Sequence, residues 1–168
     1  FEPSARQPTA SCNLPGTPQP GVVPGAVVSF NYFAPLGVPP AIGRAFRTED
    51  EKPDAPPVAV ISYGLWQRSF GGDQYLVGTT RTFNGEQYTI AGIMPRGFAV
   101  QFPVNLPVEL WTPLRRGSGD DDRIAHYLYV LGRLKKGVLL EQAQAGMNVI
   151  EGQLRQQYPD SNGASGLN

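Results

Sequence analysis

Ser62 occupies the position in this sequence that most resembles that of a catalytic nucleophile. It follows a short apolar run, VAVI at 58–61, and precedes a segment with helical character. The nucleophilic serine of a hydrolase elbow lies at such a strand-to-helix turn. Three consecutive acids at 120–122 and then the single histidine, His126, follow in the serine-acid-histidine order of that enzyme class. Because of this order, one alternative for the function is a serine hydrolase that uses Ser62.

Two features of the sequence argue against hydrolysis. Val60 stands where the elbow motif G-x-S-x-G has its first glycine, whose missing side chain permits the sharp turn. The acids at 120–122 and His126 belong to one short loop, so a carboxylate would struggle to hold the imidazole from its far side. Ser62 is also explained as a helix N-cap, because its hydroxyl can accept a hydrogen bond from the first turn.

The sequence offers fewer candidate residues for metal binding or for ATP hydrolysis. The run Asp120, Asp121 and Asp122 lacks the alternating oxygen ligands, central glycine and closing glutamate of a calcium loop. One cysteine and one histidine leave too few ligands for a zinc site. No glycine-rich stretch ends in Gly-Lys-Ser/Thr, so any ATP hydrolysis belongs to another polypeptide. We therefore predict no catalytic, cofactor-binding or metal-binding residues and no enzymatic activity.

Composition narrows the class of protein further. Among 168 residues, 14 basic side chains balance 14 acidic ones, and a nucleic-acid surface would need a basic excess. No apolar run reaches the length of about 18 residues that would span a membrane. The 20 glycines and 17 prolines suit a loop-rich α+β domain. The first residue is Phe1, with neither an initiator methionine nor a signal peptide, so we expect a fragment of a longer protein.

The segment around Ser62 has the clearest local pattern in the chain. The apolar run at 58–61 follows two prolines and predicts a buried strand. Residues 63–70 predict a helix that Ser62 caps and that Gly71 and Gly72 end. This strand and helix, together with the hairpin that follows them, are predicted to organise the fold.

Asn84 and Gly85 predict the hairpin, because a type I′ turn needs positive φ at both central residues. A two-residue loop also fixes the register of the two strands. It places four pairs opposite each other, namely Phe83 with Glu86, Arg81 with Tyr88, Thr79 with Ile90, and Val77 with Gly92.

Two more elements are predicted near the end of the chain. Residues 127–134 predict a strand that is apolar on both faces and therefore central in its sheet. Residues 139–158 predict one long helix with a single apolar stripe. The stripe consists of Leu140, Ala143, Met147, Ile150 and Leu154. We expect this stripe to face the core.

Three blocks of the sequence together resemble a known family. The central block is VAVISYGLWQRSFGGD, followed by VG, a strand, NGEQYTIAGI and a proline. It resembles the MacB-like periplasmic core domain of FtsX-type ABC transporter permeases, and most of all the long orphan permeases of that group. The upstream block VVSFNYFAPLGVPPAIGRAF and the downstream block LYVLGRLKKGVLLEQAQA agree, so the resemblance covers residues 25–158. Relatives usually place a serine where this chain has Leu139.

The resemblance implies that residues 1–168 are a fragment of one α+β periplasmic core domain. Residues 29–122 would form its strand-rich sabre-like lobe, and residues 123–168 a strand and helix of its porter-like lobe. The implied protein is a permease subunit on the periplasmic side of the bacterial inner membrane. Its partners would be an ATPase subunit or domain, reached through flanking transmembrane helices, and a periplasmic adaptor or cargo protein. A non-transporting member that signals to, or anchors, an envelope enzyme is the other alternative.

One segment predicts a contact with such a partner. Every even-numbered position from 98 to 110 is apolar, which is typical of an extended chain with one apolar side. Pro103 and Pro107 confine the segment to a sheet edge or an irregular loop. The apolar side must be covered either by its own lobe or by something else. Our hypothesis is that Phe102, Val104 and Leu106 contact a partner outside the membrane, and self-packing is the alternative.

Overall fold

Nine strands and three helices lie within the residues that the computed structural model describes, which are 4–6, 11–13, 22–100, 107–115 and 129–158. In chain order they are β1 (Ser4–Arg6), β2 (Ser11–Asn13), β3 (Val22–Val28), α1 (Phe33–Leu36), β4 (Ile42–Gly43), β5 (Val58–Ile61), α2 (Tyr63–Phe70), β6 (Thr80–Phe83), β7 (Glu86–Ile93), β8 (Leu110–Pro113), β9 (Tyr129–Leu131) and α3 (Leu140–Gln157). A single 3₁₀ turn, Thr48–Glu51, lies between β4 and β5. This mixture confirms the predicted α+β class.

The strands pair into a mixed sheet with the order β4-β7-β5-β8-β3-β1-β9. Strand β5 runs parallel to β7 and antiparallel to β8, and β8 in turn runs parallel to β3. At the far end β1 is antiparallel to both β3 and β9. Strands β6 and β2 pair with parts of β7 and β3 outside this order.

Strand β5 is buried on both faces of the sheet. Its four residues are at most 7% exposed, and alternate side chains enter different apolar clusters. Ala59 and Ile61 belong to the first cluster, which also contains Leu65 and Trp66 of α2. Val58 and Val60 belong to the second cluster, on the opposite face of the strand. All four residues of β5 are apolar because both faces of the strand are buried, in agreement with the predicted buried strand.

The hairpin formed by β6 and β7 matches its predicted turn. Asn84 and Gly85 both have positive φ, at 52° and 81°. Phe83 lies opposite Glu86 and Arg81 opposite Tyr88, as predicted, and the amide of Ile90 donates to the carbonyl of Thr79 at 3.0 Å. The fourth pair, Val77 with Gly92, is wrong. Gly92 instead pairs with Gly43, because β4 occupies that part of the edge of β7.

The second cluster is built around aromatic rings. Phe33 lies 5.8 Å from Trp111 and 5.9 Å from Phe46, measured between ring centroids. Phe98 lies 5.7 Å from Trp111. The short helix α1, which supplies Phe33, begins at that residue. The hydroxyl of Ser29 donates to the side chain of Asn31 at 2.9 Å, and no side chain caps α1.

Strand β9 corrects a second prediction. It was expected to be central, but it lies at the end of the sheet order, and within the described residues it pairs with β1 alone. Tyr129 and Val130 are 46% and 52% exposed. An apolar sequence on both faces does not make a strand central when no described element covers it.

A buried carboxylate holds the loop that precedes β5. Asp50 is 8% exposed, and both of its oxygens accept hydrogen bonds from Arg44, at 2.6 and 3.0 Å. Its Oδ2 also accepts from the backbone N–H of Arg47 at 2.7 Å. Burial by itself raises the pKa of Asp50, but the bonds and charges of Arg44 and Arg47 outweigh it and hold that pKa below its ordinary value.

Replacing Asp50 by Asn should therefore cost stability in a pH-dependent way. A carboxylate whose pKa is lowered on folding contributes stability above its unfolded pKa and loses it as the pH falls through the folded value. We expect Asp50→Asn to lower the free energy of unfolding by about 1–3 kcal/mol at pH 7. The difference should shrink as the pH falls below about 4. Urea titrations at several pH values measure both effects.

The matched control is Asp54→Asn, because Asp54 is exposed in the same loop. This change should alter the free energy of unfolding by less than about 0.5 kcal/mol. An Asp50→Asn variant as stable as that control at pH 7 would contradict the interpretation.

Candidate interaction surface

Ser62 is a helix cap in the structure. Its hydroxyl oxygen accepts a hydrogen bond from the backbone N–H of Leu65 at 3.0 Å, and the residue is 6% exposed. Its own N–H donates to the carbonyl oxygen of Glu109 at 2.8 Å. The hydroxyl therefore has the role that the N-cap interpretation predicted. The proposed triad partners at 120–122 and His126 lie outside the described residues.

The surroundings of Ser62 are occupied by an ion pair. Glu109 accepts a hydrogen bond from the guanidinium of Arg68 at 2.7 Å, which joins α2 to the segment before β8. One carboxylate oxygen of Glu109 lies 3.5 Å from where a Cβ on Gly64 would be. A negative charge already stands beside the first turn of α2, where a hydrolase would bind a developing oxyanion. This arrangement disfavours an acyl-transfer site at Ser62.

The structure does not describe the residues that were predicted to contact a partner. Phe102, Val104 and Leu106 lie outside the described residues, so their role stays a prediction. The apolar positions on either side of them are described, and Phe98, Val100 and Val108 pack in the second cluster while Leu110 packs in the first. Val108 is 2% exposed, while Phe98 and Val100 are half-buried against the second cluster. The ends of this segment therefore pack on their own domain.

Two kinds of feature are absent from the described part of the chain. No group of three or more His, Cys, Asp or Glu side chains there could hold a metal ion. Nor does any helix in those residues combine the length and the apolar character needed to cross a bilayer.

Exposed apolar side chains are concentrated at the end of the described chain. Of ten large apolar side chains that are exposed in the described residues, all but Tyr75 lie between Tyr129 and Leu154. We call this the β9–α3 surface. It comprises Tyr129, Val130, Leu134, Val138, Leu139, Leu140, Val149, Ile150 and Leu154. Large exposed apolar areas on soluble domains commonly mark interaction sites.

The apolar stripe of α3 corrects a prediction about the core. The long helix itself was predicted well, but no residue of it is buried. Leu140 is 74% exposed and Ile150 is 51% exposed. Met147 and Ala143 are half-buried at most. Helical spacing identifies the apolar side of a helix, and it does not determine what covers that side.

A turn that includes Lys135, Lys136 and Gly137 precedes α3. Gly137 adopts a positive φ of 85°, and the N–H of Val138 donates to the carbonyl of Lys135 at 3.0 Å. Leu139 offers no capping side chain, as its departure from the family pattern implied. The side chain of Gln142 supplies half of a capping box by accepting from the N–H of Leu139 at 3.1 Å.

The cap interpretation makes a prediction about Ser62→Ala. The substitution should lower the free energy of unfolding by about 1 kcal/mol, because one N–H of the first helical turn loses its acceptor. Thermal melting measures this loss. We expect no saturable hydrolysis of p-nitrophenyl esters by the parent chain, and the same background rate with the variant. Saturable turnover that disappears in Ser62→Ala would overturn this assignment.

Three solved structures share this fold over 95% of the chain. The periplasmic region of MacB from Actinobacillus actinomycetemcomitans is 15% identical, with a TM-score of 0.61 and 68% of its length covered. The extracellular domain of the noncanonic ABC-type transporter YknZ from Gram-positive bacteria is 12% identical, with a TM-score of 0.60 and 77% covered. A permease domain from Porphyromonas gingivalis is 16% identical, with a TM-score of 0.58 and 71% covered.

Sequence comparison adds the family to the fold. No curated protein matches the chain significantly. Residues 4–150, however, match the MacB-like periplasmic core domain, in agreement with the resemblance carried by the three sequence blocks. Because this match spans most of the sequence, the chain belongs to the family of MacB-like periplasmic core domains found in ABC transporter permeases.

Proposed function

We propose that this chain is a non-catalytic relay domain of an ABC transporter permease, held on the periplasmic side of the bacterial inner membrane. ATP hydrolysis by a partner subunit or domain would move transmembrane helices, and this domain would pass the motion to a periplasmic adaptor or cargo protein. The observation that carries the proposal is the β9–α3 surface, an exposed apolar area beside a well-buried sheet. A relay needs rigid parts and contact surfaces, and it needs no reactive group.

A division into two lobes would suit this role. We propose that residues 29–122 form the sabre-like lobe and residues 123–168 part of a porter-like lobe. Further chain of the same periplasmic region would cover the stripe of α3. The solved periplasmic region of MacB supports this completion, because the chain spans 68% of its length. Charged residues are depleted at the centre of protein interfaces, and the stripe positions Leu140, Ile150 and Leu154 are apolar.

The hydrolase alternative loses support from the cap and from the Glu109–Arg68 pair beside Ser62. The alternative of a domain that only anchors or signals to an envelope enzyme makes a different mechanical prediction. An anchor would keep its shape through the nucleotide cycle, whereas a relay must change the relative position of its parts.

Distances in the full-length permease with its ATPase test the relay. Cys12 is the only cysteine among these 168 residues, so Cys12→Ser is combined with serine at any cysteine elsewhere in the permease and its ATPase. Nitroxide labels on Gln67→Cys in α2 and Gln153→Cys in α3 then report the distance between two exposed helical positions. We expect the distribution to shift between the nucleotide-free and ATP-bound states.

The control is an ATPase variant that cannot bind nucleotide, with which the shift should disappear. Identical distance distributions in the nucleotide-free, ATP-bound and ADP-bound states would contradict the relay and favour the anchoring alternative.

A further inference from the structure

Strand β6 leaves one edge of the sheet open within the described residues. It pairs with β7 on one side and with no described strand on the other. The backbone N–H of Thr89 donates to the carbonyl of Pro57 at 2.8 Å, on the β5 side of β7, so that N–H does not bond to Thr80, its partner in β6. Residue pairs in an antiparallel ladder alternate between hydrogen-bonded and non-hydrogen-bonded pairs. The backbone N–H and C=O groups of Thr80 and Thr82 therefore point away from β7.

Three of these four outward backbone groups have no partner in the described residues. The exception is the carbonyl of Thr80, which accepts a hydrogen bond from Nη1 of Arg81 at 2.8 Å. Unpaired groups at a sheet edge are the ones to which an added strand bonds. Because Thr80 and Thr82 are two residues apart, their outward groups form consecutive rungs of one ladder.

Arg81 lies at this edge without a carboxylate partner. Its guanidinium carbon is 5.8 Å from the centroid of the Phe70 ring, and the residue is half-buried. None of the ion pairs in the described residues includes Arg81. Its guanidinium has five N–H donors, and a ring that holds it in place prepares it to bind a carboxylate. The charge at the edge of β6 is therefore available to an acidic partner.

A second copy of this chain does not supply that acid. Strand β6 consists of Thr80, Arg81, Thr82 and Phe83. If two copies paired antiparallel through both threonines, the pairing would be centred on Arg81 and would place the two guanidinium groups opposite each other. Like charges in directly opposite positions destabilise a sheet. The charge of this edge therefore fits a different polypeptide, one that contributes a carboxylate.

We propose that the outer edge of β6 binds an extended acidic segment of another periplasmic protein as an added antiparallel strand. The backbone of the segment bonds to Thr80 and Thr82, and its aspartate or glutamate lies opposite Arg81. That position is a non-hydrogen-bonded pair, in which side chains on neighbouring strands are closest. On binding, the guanidinium moves from the carbonyl of Thr80 to the carboxylate, which frees the carbonyl for the ladder. If the domain is a relay, as proposed above, β6 is where its periplasmic partner docks.

Short synthetic peptides test this edge. The probe alternates threonine and valine around one central glutamate and is capped at both ends, and two matched peptides carry glutamine or lysine at the centre. Amide chemical shifts of the nitrogen-15-labelled 168-residue chain detect even millimolar binding. We expect the glutamate peptide to shift the amides of Thr80 and Thr82. It should bind about threefold more tightly than the glutamine peptide, and the lysine peptide should bind most weakly.

Reversal of the charge at Arg81 tests the ion pair. In Arg81→Glu the order should invert, so that the lysine peptide binds more tightly than the glutamate peptide. The matched control is Arg96→Glu, which changes the net charge equally at an exposed residue in the turn after β7. This control should keep the preference for the glutamate peptide.

Thr82→Pro tests the backbone ladder. The N–H of Thr82 points away from β7, so proline removes the outer donor without breaking the hairpin ladder. Binding of the glutamate peptide should weaken about three- to tenfold. Thr82→Val keeps the N–H and should bind like the parent. Dispersed amide shifts of residues 86–93 report that each variant is folded.

Equal binding of the three peptides by the parent would overturn the proposal. An unchanged order in Arg81→Glu, an inverted order in Arg96→Glu, or full binding by Thr82→Pro would overturn it as well. So would concentration-dependent shifts at Thr80 and Thr82 without peptide, because a second copy would then be the occupant. No ATPase is present, so failure here leaves the relay standing. Binding as expected here, with constant label distances in the full-length permease, would instead retain the edge and refute the relay.

Discussion

The fold depends on the burial of β5 on both faces of the sheet. Four apolar residues in a row leave no side that water can reach, so each face needs its own cover. Helix α2 and the β6–β7 hairpin supply one cover, and the aromatic cluster around Trp111 supplies the other. Two smaller interactions near β5 help to hold these covering elements in place. Ser62 starts α2 directly after the strand, and Asp50 fastens the loop that leads into it.

Strand β9 and helix α3 differ in exposure from the part of the fold that is centred on β5. Within the described residues β9 pairs with β1 alone, and α3 has no buried residue. Such a region opens or moves at a lower free energy than a core strand does. The relay that we propose needs both behaviours, because a rigid part can transmit displacement only if another part can be displaced. The contrast between the two parts is therefore consistent with a relay and unnecessary for an anchor.

Local patterns in the sequence predicted the elements near β5 well, because each of them has a local cause. A polar cap begins α2, glycines end it, and a turn with two positive φ values fixes the hairpin register. The errors arose where the cause was distant. The pairing of Gly92 depends on β4, and the exposure of β9 and α3 depends on what covers them. The Arg44–Asp50 pair has no sequence signature either, since the fold of the loop brings the two side chains together.

The central claim is that the part of the fold centred on β5 is stable by itself, whereas the apolar stripe of α3 is an interface that further protein covers. Two identical substitutions test it, Ile90→Ala and Ile150→Ala, at residues that are 0% and 51% exposed. Urea unfolding of this chain should show a loss of about 2–5 kcal/mol for Ile90→Ala and under about 0.5 kcal/mol for Ile150→Ala. In the complete periplasmic region the loss for Ile150→Ala should rise above about 1 kcal/mol as that side chain becomes buried. Equal losses for the two variants in this chain, or no rise for Ile150→Ala in the complete region, would contradict the account.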